Sequence, residues 1–215
     1  MSKHVFSPEF DQLPDTLPIF PLTGAIVLPF VQLPLNIFEK RYLTMIFDAL
    51  SELRMIGMIQ PKSPDEDAIY PIGCAGRISS FQETDDGRLL ISLSGLCRFK
   101  VQEEIPSIRG YRRVIPNWKQ YAEDYFEDEV KVNTAELIAT LNAFFKVARI
   151  EADIDALKIL PGPQLINFMA TNLPFEPTDK QALLEANTLL EREKILMALA
   201  KATVTAASLS QETLH

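Results

Sequence analysis

A chain of 215 residues that is 47% hydrophobic and 23% charged can bury a real core, in one domain or two modest ones. Its formal net charge of −8 argues against a generic phosphate-binding surface and leaves only a local basic patch open. The only histidines, His4 and His215, lie at the chain ends, which takes catalytic triads, imidazole proton shuttles and histidine-ligated zinc out of the body.

In chain order, residues 1–13 lack periodicity and read as a flexible tail, with no apolar core of signal-peptide type. No apolar run reaches the length of a membrane span, so the expected compartment is cytoplasmic. Leu17–Leu22 and Ile26–Pro29 are apolar runs too short for helices, and prolines at 18, 21, 29 and 34 mark them as edge or irregular strands. From Phe38 the period changes to three and four, with Tyr42, Leu43, Ile46, Leu50 and Leu53 on one side of an amphipathic helix. Arg54–Gln60 is an apolar strand in which Gly57 marks a bulge or a close backbone approach, and residues 61–68 form a polar loop. Residues 70–101 carry the clearest strand pattern. Ile72, Cys74 and Ile78 share parity, Asp85-Asp86-Gly87 predicts a type I′ hairpin turn, and Leu89, Ile91 and Leu93 alternate with serines before a break at Gly95-Leu96. Cys74 and Cys97 fall inside these strands and read as buried thiols rather than a disulfide framework. Gly110–Tyr121 is a further strand interrupted by Pro116.

An acidic run follows, Glu123, Asp124, Glu127, Asp128 and Glu129, read as a solvated helix start. The periodicity beyond it is helical, so a β domain over 14–122 gives way to a helical domain over 123–204. Asn133 with Glu136 caps one helix to about Arg149; Pro161-Gly162-Pro163 introduces another. Thr178 with Gln181 opens a third, and Thr188 with Glu191 a long last helix striped by Ile195, Leu196 and Leu199. Residues 205–215 are expected to fray.

The segments LPIFPL at 17–22, VLP at 27–29, LPLNIFEKRY at 33–42, the hairpin at 70–101, YRR at 111–113 and the leucine-rich stretch at 167–201 together resemble the N-terminal, substrate-binding domain of the Lon proteases. The resemblance runs over nearly the whole chain, and it implies an α+β fold: an N-terminal PUA-like β pseudo-barrel with one amphipathic helix, then a C-terminal α-helical bundle. It also implies a free-standing bacterial-type member without the ATPase and protease domains. Such a member recognises unfolded or damaged polypeptides, or docks onto a protease or chaperone partner, and is not itself an enzyme. No GxxxxGK[ST] loop occurs in the sequence, and no cofactor or metal is expected.

Two surfaces are candidates for recognition. Phe30, Val31, Leu33, Leu35, Ile37 and Phe38 surround Pro29 and Pro34 in what reads as an irregular connection. If several stay exposed they form an apolar groove for an extended peptide. The alternative is an RNA-binding patch, because PUA-like folds include RNA binders and Arg109, Tyr111, Arg112, Arg113, Trp118 and Lys119 form the one basic and aromatic cluster. A Ser-Lys pair from Ser92 or Ser94 with Lys100, and a metal site from Glu83, Asp85 and Asp86, are better explained as strand surface and hairpin tip.

Overall fold

The computed structural model describes residues 6–63, 67–125 and 132–212, and the chain divides into two compact units, Met1–Asp128 and Glu129–His215. The first holds strands β1 (Leu17–Pro21), β2 (Gln32–Ile37), β3 (Met55–Ile59), β4 (Ile72–Glu83), β5 (Leu89–Ile105) and β6 (Arg112–Asn117), with helix α1 (Lys40–Ser51) between β2 and β3. The sheet order is β2-β5-β4-β3-β1-β6, and β6 pairs back onto β5. Five strands therefore close a ring, parallel only at β1–β3. Closure is possible because β5 is long: its first half pairs with β2, and Lys100–Ile105 pairs with β6. The strand β2 stays outside the ring and lengthens the β4–β5 hairpin into a three-stranded extension.

The barrel interior is filled by Leu17, Ile19, Ala75, Phe99 and Val114, all fully buried, while Met58 and Cys74 lie on the other face of the sheet with Phe20. A Cβ at Gly57 would come within 2.8 Å of both Leu17 and the Phe99 ring, the close approach expected there. The α1 stripe is Tyr42, Met45, Ile46 and Ala49, with Tyr42 against Phe20 at 4.2 Å between ring centres. Leu53, expected on that stripe, lies beyond the helix end and is exposed.

Four further expectations are corrected in this unit. Ile26, Val27 and Leu28 are buried but form no strand; their backbone crosses the sheet at Gly95, whose missing Cβ would collide with the Leu28 carbonyl. The chain is stitched there by Phe30 N–H to Gly95 O (3.1 Å) and Gly95 N–H to Val31 O (2.8 Å). Conversely, the stretch read as an irregular connection is β2 itself. The hairpin turn has positive φ only at Gly87, and Thr84 and Arg88 close it by Thr84 N–H to Arg88 O, so it is a three-residue loop and not type I′. Asp124 is not solvated but buried in an ion pair with Arg98. The rest of the acidic run from Glu127 to Glu129 lies outside the described residues.

The second unit contains α2 (Thr134–Ala148), α3 (Ile154–Lys158), α4 (Gly162–Asn172), α5 (Pro177–Glu185) and α6 (Leu189–Glu212). The caps are where the sequence placed them: Asn133 accepts from Glu136 N–H at 3.4 Å, and Thr188 Oγ1 accepts from Glu191 N–H at 3.1 Å. Pro177, not Thr178, begins α5, since proline suits a first helical turn. The short α3, capped by Asp153 onto Ala156 N–H, has too few residues to show a period. Two further corrections concern α6. It continues through Val204 to Glu212 instead of fraying, and its fully buried line is Arg192, Leu196 and Ala200. The Arg192 guanidinium donates to Leu183 O at 2.9 Å and Asn167 Oδ1 at 2.7 Å, tying α6 to α5 and α4.

Candidate functional site

The six apolar candidates divide according to the geometry of β2. Pairing with β5 sets Leu33 opposite Leu93, Leu35 opposite Ile91 and Ile37 opposite Leu89, so the odd positions share the face of three buried residues. Val31 and Ile37 are core, and Leu33 and Leu35 are half-buried on the edge strand. Phe30 and Phe38 are exposed, 39% and 63%, but flank opposite ends of β2. Eight residues of extended chain separate them by up to about 26 Å, so they do not line one short groove. Phe30 has φ of 66°, a left-handed conformation rarely adopted by a bulky side chain. The Arg88 guanidinium lies 5.9 Å from the centre of the Phe38 ring.

One member of this face was not singled out in the sequence. A register shift between Ile78 and Ser80 reverses the parity of β4 and places Phe81 opposite Ile91, in one cross-strand row with Leu35. Phe81 is 49% exposed. The result is a face running from Leu33 and Leu35 to Phe81, apolar at its rim, with Phe30 and Phe38 beyond the ends of β2.

The basic and aromatic cluster has a different character. Arg109 makes a two-pronged pair with Asp48, Nη2 to Oδ1 at 2.6 Å and Nε to Oδ2 at 2.9 Å, and Tyr111 OH donates to the same carboxylate at 2.9 Å. This network holds the carboxyl of Asp48 below its ordinary range, chiefly through the Arg109 hydrogen bond. Arg112 is paired with Glu104, Nε to Oε1 at 2.6 Å, and donates to Asp67 O at 2.7 Å. Arg113 donates to Thr16 Oγ1, and Trp118 Nε1 to Pro14 O at 3.1 Å while its ring meets Phe99 edge-on. Lys119 opens a 3-10 segment over Lys119–Tyr125, its N–H on Asn117 Oδ1. Two of the cations expected to meet phosphate are thus neutralised by carboxylates already, Tyr111 is buried, and the half-buried Trp118 is engaged with Pro14 and Phe99.

The other chemistries do not assemble. Ser94 Oγ donates to Ser79 Oγ at 3.0 Å, and Lys100 lies six residues further along the same strand, roughly 20 Å away. Both cysteines are free and buried; burial pushes the Cys97 thiol far up, and it donates to Tyr121 O at 3.3 Å. Among the described residues there is no group of three or more His, Cys, Asp or Glu side chains able to hold a metal, and no helix long and apolar enough to cross a membrane.

A closed small β barrel, one amphipathic helix and a bundle of helices make this an α+β chain, with mixed parallel and antiparallel pairing around the ring. A family model for the ATP-dependent protease La (LON) substrate-binding domain matches residues 16–201, and the chain belongs to that family. It is 30% identical over 190 residues to a Lon protease of Dictyoglomus thermophilum and 27% identical over 193 to one of Flavobacterium johnsoniae. These matches take in 84% and 85% of this chain and only 23% of each relative, so the chain spans about a quarter of the length of those relatives. Among solved structures it is similar to a Lon N-terminal domain protein from Xanthomonas campestris, with TM-score 0.63 and 23% identity over 85% of this chain and 97% of that one. The N-terminal domain of a Mycobacterium avium complex Lon protease gives 0.64 at 18% identity, over 86% and 98%.

Proposed function

We propose that this chain is a non-catalytic protein-recognition module. It captures exposed apolar segments of unfolded or damaged polypeptides, or docks onto a protease or chaperone partner. The observation that carries this reading is membership of a substrate-binding domain family across residues 16–201. The apolar rim supports it: Leu33, Leu35 and Phe81 on one face, with Phe30 and Phe38 beyond the ends of β2, are the kind of surface that an unfolded chain can cover. Recognition of this kind is weak per contact and gains strength from several contacts on one client.

The test is a titration of labelled, reduced unfolded polypeptide against the purified protein. Phe38→Ser and Phe30→Ser, each checked for native circular dichroism, are expected to weaken binding several-fold. Lack of binding at high micromolar protein, or equal binding by both folded variants, overturns the assignment.

A further inference from the structure

The three-stranded extension has two free edges, and they are not equivalent. The outer edge of β2 contains Pro34, which has no N–H to offer a further strand. The outer edge of β4 from Ser79 to Glu83 contains neither proline nor lysine, the residues that usually blunt an edge. Those five residues are exposed and, among the described residues, pair only with β5. The neighbouring strand β3 ends its pairing just before them, where Ile78 N–H donates to Arg54 O at 2.8 Å. A new strand laid along Ser79–Glu83 would occupy the vacant continuation of β3, with one end abutting Arg54.

Arg54 and Arg77 lie at that end. Arg77 stands opposite Met55, the residue after Arg54, and the charge of Arg54 is felt at Arg77. Elsewhere in this unit Arg41, Arg88, Arg98, Arg109 and Arg112 each have a carboxylate partner. Arg113 has a hydroxyl. Among the described residues no carboxylate reaches Arg54 or Arg77, and the Nε of Arg77 is buried without a hydrogen-bond partner. The ring of Phe6 rests 5.8 Å from the Arg77 guanidinium. Two adjacent cations without a counter-charge, in a protein of net charge −8, favour binding of an oxyanion.

We propose that the Ser79–Glu83 edge and the Arg54–Arg77 pair form one site for an extended polypeptide strand that presents a carboxylate at the end meeting the arginines. Main-chain hydrogen bonds to the edge supply sequence-tolerant affinity, and the two guanidiniums select for an acidic residue or a chain terminus. The site shares Phe81 with the apolar rim but does not involve Phe30 or Phe38, so its failure leaves the reading of those two residues standing.

The probe is a fluorescein-labelled ten-residue peptide of alternating Val and Thr, made in three forms. One ends in Asp-Glu with a free carboxylate, one in Asp-Glu-amide and one in Asn-Gln-amide. By fluorescence anisotropy the first should bind about tenfold more tightly than the last, the worth of a charged hydrogen-bonded pair. The middle form assigns the carboxylate: affinity like the first means a side chain, affinity like the last means the terminus. Arg54→Gln, at an exposed position, should remove most of the difference, and Arg54→Gln with Arg77→Gln all of it. Amide hydrogen exchange should slow at Ser79–Glu83 and not at β2. Equal affinity for acidic and neutral peptides, unchanged selectivity in folded Arg54→Gln, or protection absent from Ser79–Glu83 overturns the proposal. So does binding of inorganic phosphate by a protein that binds none of the three peptides.

Discussion

Replacing Asp124 with alanine should cost more stability than any other single loss of a charge in this unit. The Arg98 and Asp124 side chains are only 4% and 9% exposed. The carboxylate accepts from Arg98 Nε at 2.7 Å, Nη2 at 2.8 Å and the backbone N–H at 3.0 Å. Burial works against the charge on Arg98, but the hydrogen bonds and charge of Asp124 outweigh it and hold the guanidinium above its ordinary pKa. Without the carboxylate, the buried guanidinium beside the Tyr121 ring 4.2 Å away loses two charged hydrogen bonds, and the backbone N–H loses a third contact to the same group. Breaking a buried pair from one side costs about 3–5 kcal/mol. With a urea m-value of about 1.5 kcal/mol per molar, the midpoint falls by roughly 2–3 M. The fluorescence of Trp118, the sole tryptophan, reports it, because its ring packs edge-on to Phe99 at 5.7 Å inside the same unit. A companion variant, Arg98→Met with Asp124→Leu, should recover most of the loss, since two apolar side chains need no counter-charge. A midpoint shift under about 0.5 M for Asp124→Ala would refute the reasoning and mean that water already solvates the pair.

Two further predictions concern the barrel. Gly95→Ala forces a methyl group into the Leu28 carbonyl and should lower stability by at least about 1–3 kcal/mol in the same urea assay; an unchanged midpoint would show that the crossing strand moves aside without cost. Asp48→Asn should flatten the acid limb of stability. The carboxyl of Asp48 is held below its unfolded value by Arg109, so its contribution is complete above about pH 4 and fades as pH falls through the lower folded value. Wild type and variant should therefore converge between about pH 4 and 2, and parallel curves in that window would contradict the pairing.

The elements that the sequence exposed most clearly were those set by local chemistry. Asn133 and Thr188 announced their helices because a cap needs only one side chain and the N–H three residues on, and the β4–β5 hairpin was readable from parity. What escaped was decided by distant partners. Ile26–Leu28 have strand composition, yet the sheet lane they would need is crossed by their own backbone at Gly95. Pro34 argued for irregularity, but an edge strand tolerates it, so β2 formed where a connection was expected. Phe81 changed faces because of a bulge that no periodicity reveals. Asp124 read as a solvent-facing charge on composition alone and is buried because Arg98 of β5 satisfies it; Arg192, which periodicity did not mark, is buried because α4 and α5 supply its acceptors. The candidate site shared this fate: its residues were named correctly as apolar, while their division into core and rim waited on the register with β5.

Closure of the ring also orders events in time. The β4–β5 hairpin and its neighbour β3 join residues close in sequence, and they can form as soon as those residues exist. The seam between β1 and β6 is different: Arg113 reaches Thr16 across 97 residues, and Trp118 fastens the carbonyl of Pro14 across 104. Loop-closure entropy makes such contacts the slow ones. On a chain emerging from its N-terminus, β1 can pair with β3 early, but its other edge must wait unpaired until β6 has been made. The unit is itself, for that interval, a polypeptide with an unpaired strand edge.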